Sequence, residues 1–176
     1  MSRMGLYTLN PAPKQRYNSY KGDMNGVCKN LLLERKKNKH TGKINEKRNF
    51  ETTSVKQKWT TDVSEFKIAA GKLYLSPIMD IYNREIVGFD ISDTPNLFQI
   101  YRMLDMAFEK FDSLEGLIFH SDQGWKYQHF SYHKRLEEKG IFQSMSRKGN
   151  SLDNSPMENF FGKMKCFMDL KIHLNH

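Results

Sequence analysis

A chain of 176 residues with a formal net charge of +8 can fill one good core and carry an extension, and no apolar run approaches the roughly 18 residues of a membrane span. The start of the chain lacks the apolar stretch of a secretory leader, and Cys28 and Cys166, with no CxxC or Cys/His neighbours, read as ordinary thiols in a reducing cytoplasm rather than a disulfide framework or a zinc site. Residues 1–58 hold 14 Lys/Arg against 4 Asp/Glu, whereas residues 59–176 hold 14 against 16, so the basic character sits in the first third, as in segments that bind phosphate backbones.

Residues 1–57 read as a basic N-terminal extension and linker. Pro11, Pro13, Tyr17 and Tyr20 precede Leu31-Leu32-Leu33-Glu34-Arg35-Lys36-Lys37, which predicts a short helix. Residues 38–58 are polar, charged and poor in aliphatics, which predicts a loop. The core is expected over 58–176. Residues 58–63 predict a strand ending near Asp62, residues 72–80 a second and residues 85–91 a third, with a turn at Tyr82-Asn83-Arg84. Pro77 belongs at an edge or bulge, because it cannot donate to a ladder.

Leu97, Ile100, Tyr101, Leu104, Ala107, Phe108 and Phe111 follow helical spacing through four turns, with Thr94 or Asn96 as cap and Pro95 near the start. Residues 116–121 predict a strand that delivers Asp122. Residues 128–139 predict a helix closed by Gly140, residues 141–145 a strand and residues 147–154 a mobile loop. Asp153 or Asn154 can cap a last helix, with Pro156 in its first turn. Its apolar face is Met157, Phe160, Phe161, Met164, Phe167 and Met168; Glu158, Gly162 and Lys165 share another stripe, since seven residues make nearly two turns.

Three acidic residues stand in distinctive words: Asp62 in WTTDVSEF, Asp122 in FHSDQGWKY and Glu158 in DNSPMENFFGKMK, with 35 residues between the last two. Carboxylates brought together by a fold make an oxygen site for Mg²⁺, and two such ions serve displacement at phosphorus. Asp80, Asp90 and Asp93 fall at strand ends or turns and read as structural. His120 shares a strand face with Asp122, so it either touches the site or packs. Gln123, Trp125 and Tyr127 are candidates for shaping the cleft, and Trp125 either packs or stacks on a displaced base. Arg147 and Lys148 on the loop are candidates for gripping DNA.

The words KWTTDVSEF, KLYLSPIMDIYNREIVG, HSDQGWKYQH and NSLDNSPMENFFGKMK resemble bacterial insertion-sequence transposases of the OrfB type, relatives of retroviral integrases with an Asp, Asp, Glu (DDE) catalytic core. RYNSYKG is similar to the stretch just before that core. The resemblance implies an α/β, ribonuclease-H-like fold: a mixed five-stranded sheet with flanking helices, its first and fourth strands neighbours at the centre. It implies that Asp62, Asp122 and Glu158 are catalytic and hold Mg²⁺, or Mn²⁺ as substitute, as two ions bridged by Asp62. It also implies that Lys165 contacts DNA. Cleavage and strand transfer during transposition follow, with element ends and target DNA as partners, a homo-oligomer in the active complex, a helix-turn-helix protein from an upstream frame, and a bacterial, nucleoid-associated setting. Relative to the family the chain looks truncated after the last helix and extended at 34–51. Two rivals use the same residues: an inactive remnant with only non-specific DNA binding, and a metal-dependent nuclease of the same fold.

Overall fold

The structure, a computed structural model, describes residues 26–38 and 41–174, with side chains as far as Met168. The RYNSYKG stretch therefore lies outside the described residues. The first described element corrects the sequence reading. Strands β1 (Leu33–Lys37) and β2 (Ile44–Arg48) form an antiparallel hairpin where a helix and a loop were predicted. The turn decides this. Asn38 Oδ1 accepts from the Thr41 N–H at 3.1 Å, and the Gly42 N–H reaches the Asn38 carbonyl at 2.9 Å, with Gly42 at φ 67°. Once the chain reverses there, Glu34 stands opposite Lys47 and Arg35 pairs with Glu46 at 2.9 Å, a favourable cross-strand arrangement. Neither strand alternates polar with apolar residues, so neither carries a period-two signal.

The main sheet contains β3 (Lys58–Thr61), β4 (Ser64–Ile68), β5 (Gly71–Asp80), β6 (Ile86–Ser92), β7 (Ile118–Ser121) and β8 (Phe142–Met145). β5 pairs with β6 on one side and with both β3 and β4 on the other; β3 pairs with β7, and β7 with β8, in parallel. Thr61 lies opposite Ile78 and Ser64 opposite Leu75, so β3 and β4 keep one register and act as a single strand interrupted at Asp62 and Val63. This gives the five ranks expected, in a ribonuclease-H-like mixed sheet. Pro77 sits opposite the interruption and one residue before the register shift at Ile78/Met79 in the pairing with β6, beside a bulge rather than at a sheet edge. Its carbonyl accepts from Thr61 Oγ1 at 2.8 Å, so that edge of Pro77 faces β3, where its nitrogen has no proton to give. The ladder opens at the point where Asp62 must leave it.

Helices cover both faces. α1 (Leu97–Glu109) is capped by Asn96, whose side chain accepts from the Gln99 N–H. α2 (Trp125–Gln128) is a single turn, and α3 (Phe130–Glu137) closes at Gly140, φ 68°. These pack on one face around Trp59, Ile78, Met103, Phe119 and Tyr132. On the other face a 3₁₀ turn (Ser151–Asn154) leads into α4 (Ser155–Leu174), whose Met157 and Phe161 join Phe66, Leu75 and Met79. α1 lies so close to β6 that a Cβ on Gly88 would sit 2.7 Å from the Met103 carbonyl oxygen and 3.0 Å from the Ala107 Cβ. Gly88→Ala is expected to cost about 1–3 kcal/mol through overpacking, measured as a lower urea midpoint at unchanged slope.

The acids read as structural find structural partners. Buried Asp80 accepts from Trp59 Nε1 at 2.9 Å, the Lys56 N–H at 2.7 Å and the Tyr82 N–H at 2.8 Å. Asp90 pairs with Arg102 at 2.7 Å.

Candidate active site

Parallel strands β3 and β7 set Lys58 opposite Ile118, Trp59 opposite Phe119 and Thr60 opposite His120. Continuing that register by two residues sets Asp62 beside Asp122. Because side chains alternate along a strand, Asp62 lies on the face of Thr60, whose hydroxyl donates to Asn154 Oδ1 just before α4. Each carboxylate is fixed by a local amide: the Val63 N–H donates to Asp62 Oδ1 at 2.7 Å and the Gly124 N–H to Asp122 Oδ1 at 2.8 Å. A Cβ on Gly124 would stand 2.9 Å from that Asp122 oxygen, so glycine admits the carboxylate to the turn.

The two acids line a cleft of about 100 Å³ together with Gly124, Trp125, Lys126 and Tyr127. Burial raises Asp62 to about 7, with Asp122 adding to the rise while the Val63 amide and Lys126 oppose it. Burial also raises Asp122, against the Gly124 amide and Lys126. The Lys126 ammonium is pulled down by the same burial and held up by Asp122 and Asp62. At neutral pH Asp62 is therefore protonated in part, the expected response of a carboxylate beside another in a poorly solvated site.

Glu158 is exposed on the first turn of α4 and stands outside this cleft, although its charge still bears on Asp62. Among the described residues no three His, Cys, Asp or Glu side chains converge closely enough to enclose an ion. The expected convergence of three carboxylates is thus met by two. The start of α4 is nevertheless tied beside the pair: Asn154 Nδ2 donates to the Thr61 carbonyl at 3.0 Å, and Glu158 follows Asn154 by about one helical turn.

Trp125 is half-buried in the cleft wall. Lys165 is exposed on α4 with its ammonium 5.5 Å from the centre of the Phe66 ring, a cation–π distance. Lys148 is exposed on the loop before α4. Arg147 is committed within the protein, pairing with Asp153 at 2.9 Å and Glu46 at 2.5 Å. His120 shares the face of the carboxylates but packs beneath them: its ring nitrogens meet Ser144 Oγ at 2.8 Å and Ser146 Oγ at 3.0 Å, and burial lowers it to about 4. Gln123 donates to the Ser146 carbonyl at 3.0 Å and braces the Asp122 loop.

The sequence reading passed over Lys126 and the partners of Asp153. Lys126 follows Trp125 in HSDQGWKY, and its signal was a cation beside a presumed acidic centre. Arg48 lies in a run of like charges, where nothing local distinguishes it.

The integrase core domain family matches residues 52–151. An uncharacterized transposase-like protein of Haemophilus influenzae is 46% identical over 151 residues, 86% of this chain and 63% of its own length. The InsK protein of insertion sequence element IS150 from Escherichia coli K12 is 42% identical over 167 residues, 93% of this chain and 54% of its own. The chain thus spans little more than half the length of these curated relatives. Among solved structures, the HTLV-2 integrase catalytic core domain in complex with magnesium shares the fold at a TM-score of 0.52 and 14% identity, over 66% of this chain and 72% of that one.

Proposed function

The chain belongs to the integrase core domain family, and from that membership we propose that it is the catalytic core of an insertion-sequence transposase, carrying out metal-dependent DNA cleavage and strand transfer. The observation that carries this reading is the pairing of Asp62 and Asp122 at the ends of adjacent parallel strands, in a half-buried cleft that raises both. An all-oxygen donor pair with excess negative charge fits a hard divalent ion, and the named magnesium complex of the HTLV-2 core supports the same choice. Asp62 and Asp122 would hold the metal, with Glu158 as the third carboxylate. When bound, Mg²⁺ supplies Lewis-acid stabilisation of charge developing on phosphate oxygens.

The remaining work falls to side chains. Asp62 must give up its proton before it can serve as a ligand, so metal affinity rises with pH through the neutral range. Lys126 offsets carboxylate charge at Asp62 and Asp122. Lys165 and Lys148 offer point charges to phosphates flanking the cleft, and Trp125 a flat surface to a displaced base. The exposed lysines of the β1–β2 hairpin extend the basic surface away from the cleft. DNA is the partner in this reading, as element ends and as target, with more than one copy of the chain in the active complex.

The test is joining of a labelled 3′-end oligonucleotide to plasmid DNA with Mg²⁺ or Mn²⁺. Joining by the wild-type chain that Asp122→Asn abolishes supports a transposase core. Cutting without joining marks a nuclease of the same fold. A folded, metal-binding chain that does neither marks a DNA-binding remnant.

A further inference from the structure

The loop ahead of α4 is held by a polar clamp that the chemistry at Asp62 and Asp122 does not use. The Asp153 side chain is fully buried. Its carboxylate accepts from Arg48 Nε at 2.8 Å, Asn30 Nδ2 at 3.0 Å, and Arg147 through Nε at 2.9 Å, Nη2 at 3.0 Å and the backbone N–H at 3.0 Å. Those donors come from three separate segments, and they exhaust the roughly four acceptor sites of a carboxylate. Arg48 also donates to Asn150 Oδ1 at 3.0 Å, and Arg147 reaches Glu46 at 2.5 Å. The β1–β2 hairpin is thereby bolted to the segment that begins α4. The next residue, Asn154, is buried against Thr60 and Thr61, immediately before Asp62.

We propose that Asp153, gripped by Arg48 and Arg147, is a positioning residue that sets the rotation and height of α4 and so where Glu158 meets Asp62 and Asp122. This rests on the reading of Glu158 as the third carboxylate ligand. The apolar contact of Met157 and Phe161 with Phe66, Leu75 and Met79 holds the helix to the sheet, but apolar burial is non-directional and tolerates sliding. Charge-assisted hydrogen bonds to a planar carboxylate are directional. The clamp and the Asn154 contacts together define one seat for the first turn. Because Arg48 and Glu46 belong to the hairpin, a segment distant from the cleft in sequence takes part in shaping it.

The experiment uses the full chain with Cys28→Ser and Lys67→Cys, spin-labelled at position 67 on β4 and at the native Cys166, both exposed. Electron–electron distance distributions are compared for this background, Asp153→Asn, Arg48→Ala and Arg48→Lys, alongside Mn²⁺ binding. Arg48→Ala is expected to broaden or shift the distribution, and Arg48→Lys to restore most of it. Mn²⁺ affinity should fall about 10-fold in Arg48→Ala, the scale of lost outer-shell support, with no further fall when Arg48→Ala is added to Glu158→Gln. A folded Arg48→Ala protein with lower melting temperature but an unchanged distribution overturns the proposal; Arg48 is partly exposed, so this variant serves where Asp153→Asn does not fold. An equal Arg48→Ala loss of Mn²⁺ affinity with and without Glu158 also overturns it. If Glu158→Gln leaves Mn²⁺ affinity unchanged while Arg48→Ala shifts the distances, the ligand assignment fails and the clamp still sets the helix.

Discussion

Asp62→Asn is expected to stabilise the metal-free protein at pH 8 while abolishing strand transfer. The folded protein raises Asp62 to about 7, against roughly 3.9 for an unperturbed aspartate. Between those values the native state binds more protons than the unfolded state, so stability falls as pH rises from about 4 to 7. At about 1.4 kcal/mol per pKa unit the full effect is at most about 4 kcal/mol, and the partial exposure of Asp62 lowers it. Asparagine keeps the shape, carries no charge and cannot serve as an ionised ligand. Thermal melts in EDTA at pH 5 and pH 8 read the effect: the wild-type midpoint drops across the interval, and the Asp62→Asn midpoint stays nearly level. Adding Mg²⁺ at pH 8 should recover the wild type and leave the variant unmoved. Parallel pH slopes for the two proteins would show that Asp62 is not the group that titrates.

Trp59→Ala is expected to cost about 3–5 kcal/mol, the range for deleting a buried large aromatic, a large part of the roughly 5–15 kcal/mol that holds a domain folded. Trp59 is fully buried in the central strand, with its ring centre 5.5 Å from Phe111 and 6.1 Å edge-on from Phe119. Its indole N–H is one of three donors to Asp80. Alanine leaves a cavity and takes one donor from a buried carboxylate. Trp59→Phe keeps a six-membered aromatic ring in the core and loses the five-membered ring with its N–H, so it removes the donor with a much smaller cavity and should cost clearly less. Urea unfolding of both variants measures the difference. Equal losses would mean that the Asp80 hydrogen bond, rather than packing, carries the cost. Because Asp62 lies three residues along the same strand, Trp59→Ala should also loosen the carboxylate pair, seen as weaker Mn²⁺ binding below the unfolding temperature.

The sequence determined those parts of the protein that local chemistry writes down. The periodicity from Leu97 to Phe111 marked α1, Thr94 and Asn96 were its candidate caps, of which the structure uses Asn96, and Gly140 ended α3, because each signal lies within a few residues of the element. From β3 to α4 the order of elements followed from such signals except for β4 and the single turn α2, and the ribonuclease-H-like arrangement came from the family resemblance that the four words carry. Tertiary structure alone decided what depends on residues meeting from afar. The β1–β2 hairpin pairs charges across its strands and has no apolar period to reveal it. Pro77 interrupts the ladder from the partner strand, so the break that releases Asp62 is not encoded at Asp62 itself. Lys126 became part of the cleft because α2 turns it toward two half-buried acids. Arg48 reaches Asp153 across 105 positions. Glu158 could be read as an acid on a helix, but its distance from the carboxylate pair is set by how α4 sits on the sheet, where apolar packing and a polar clamp act together.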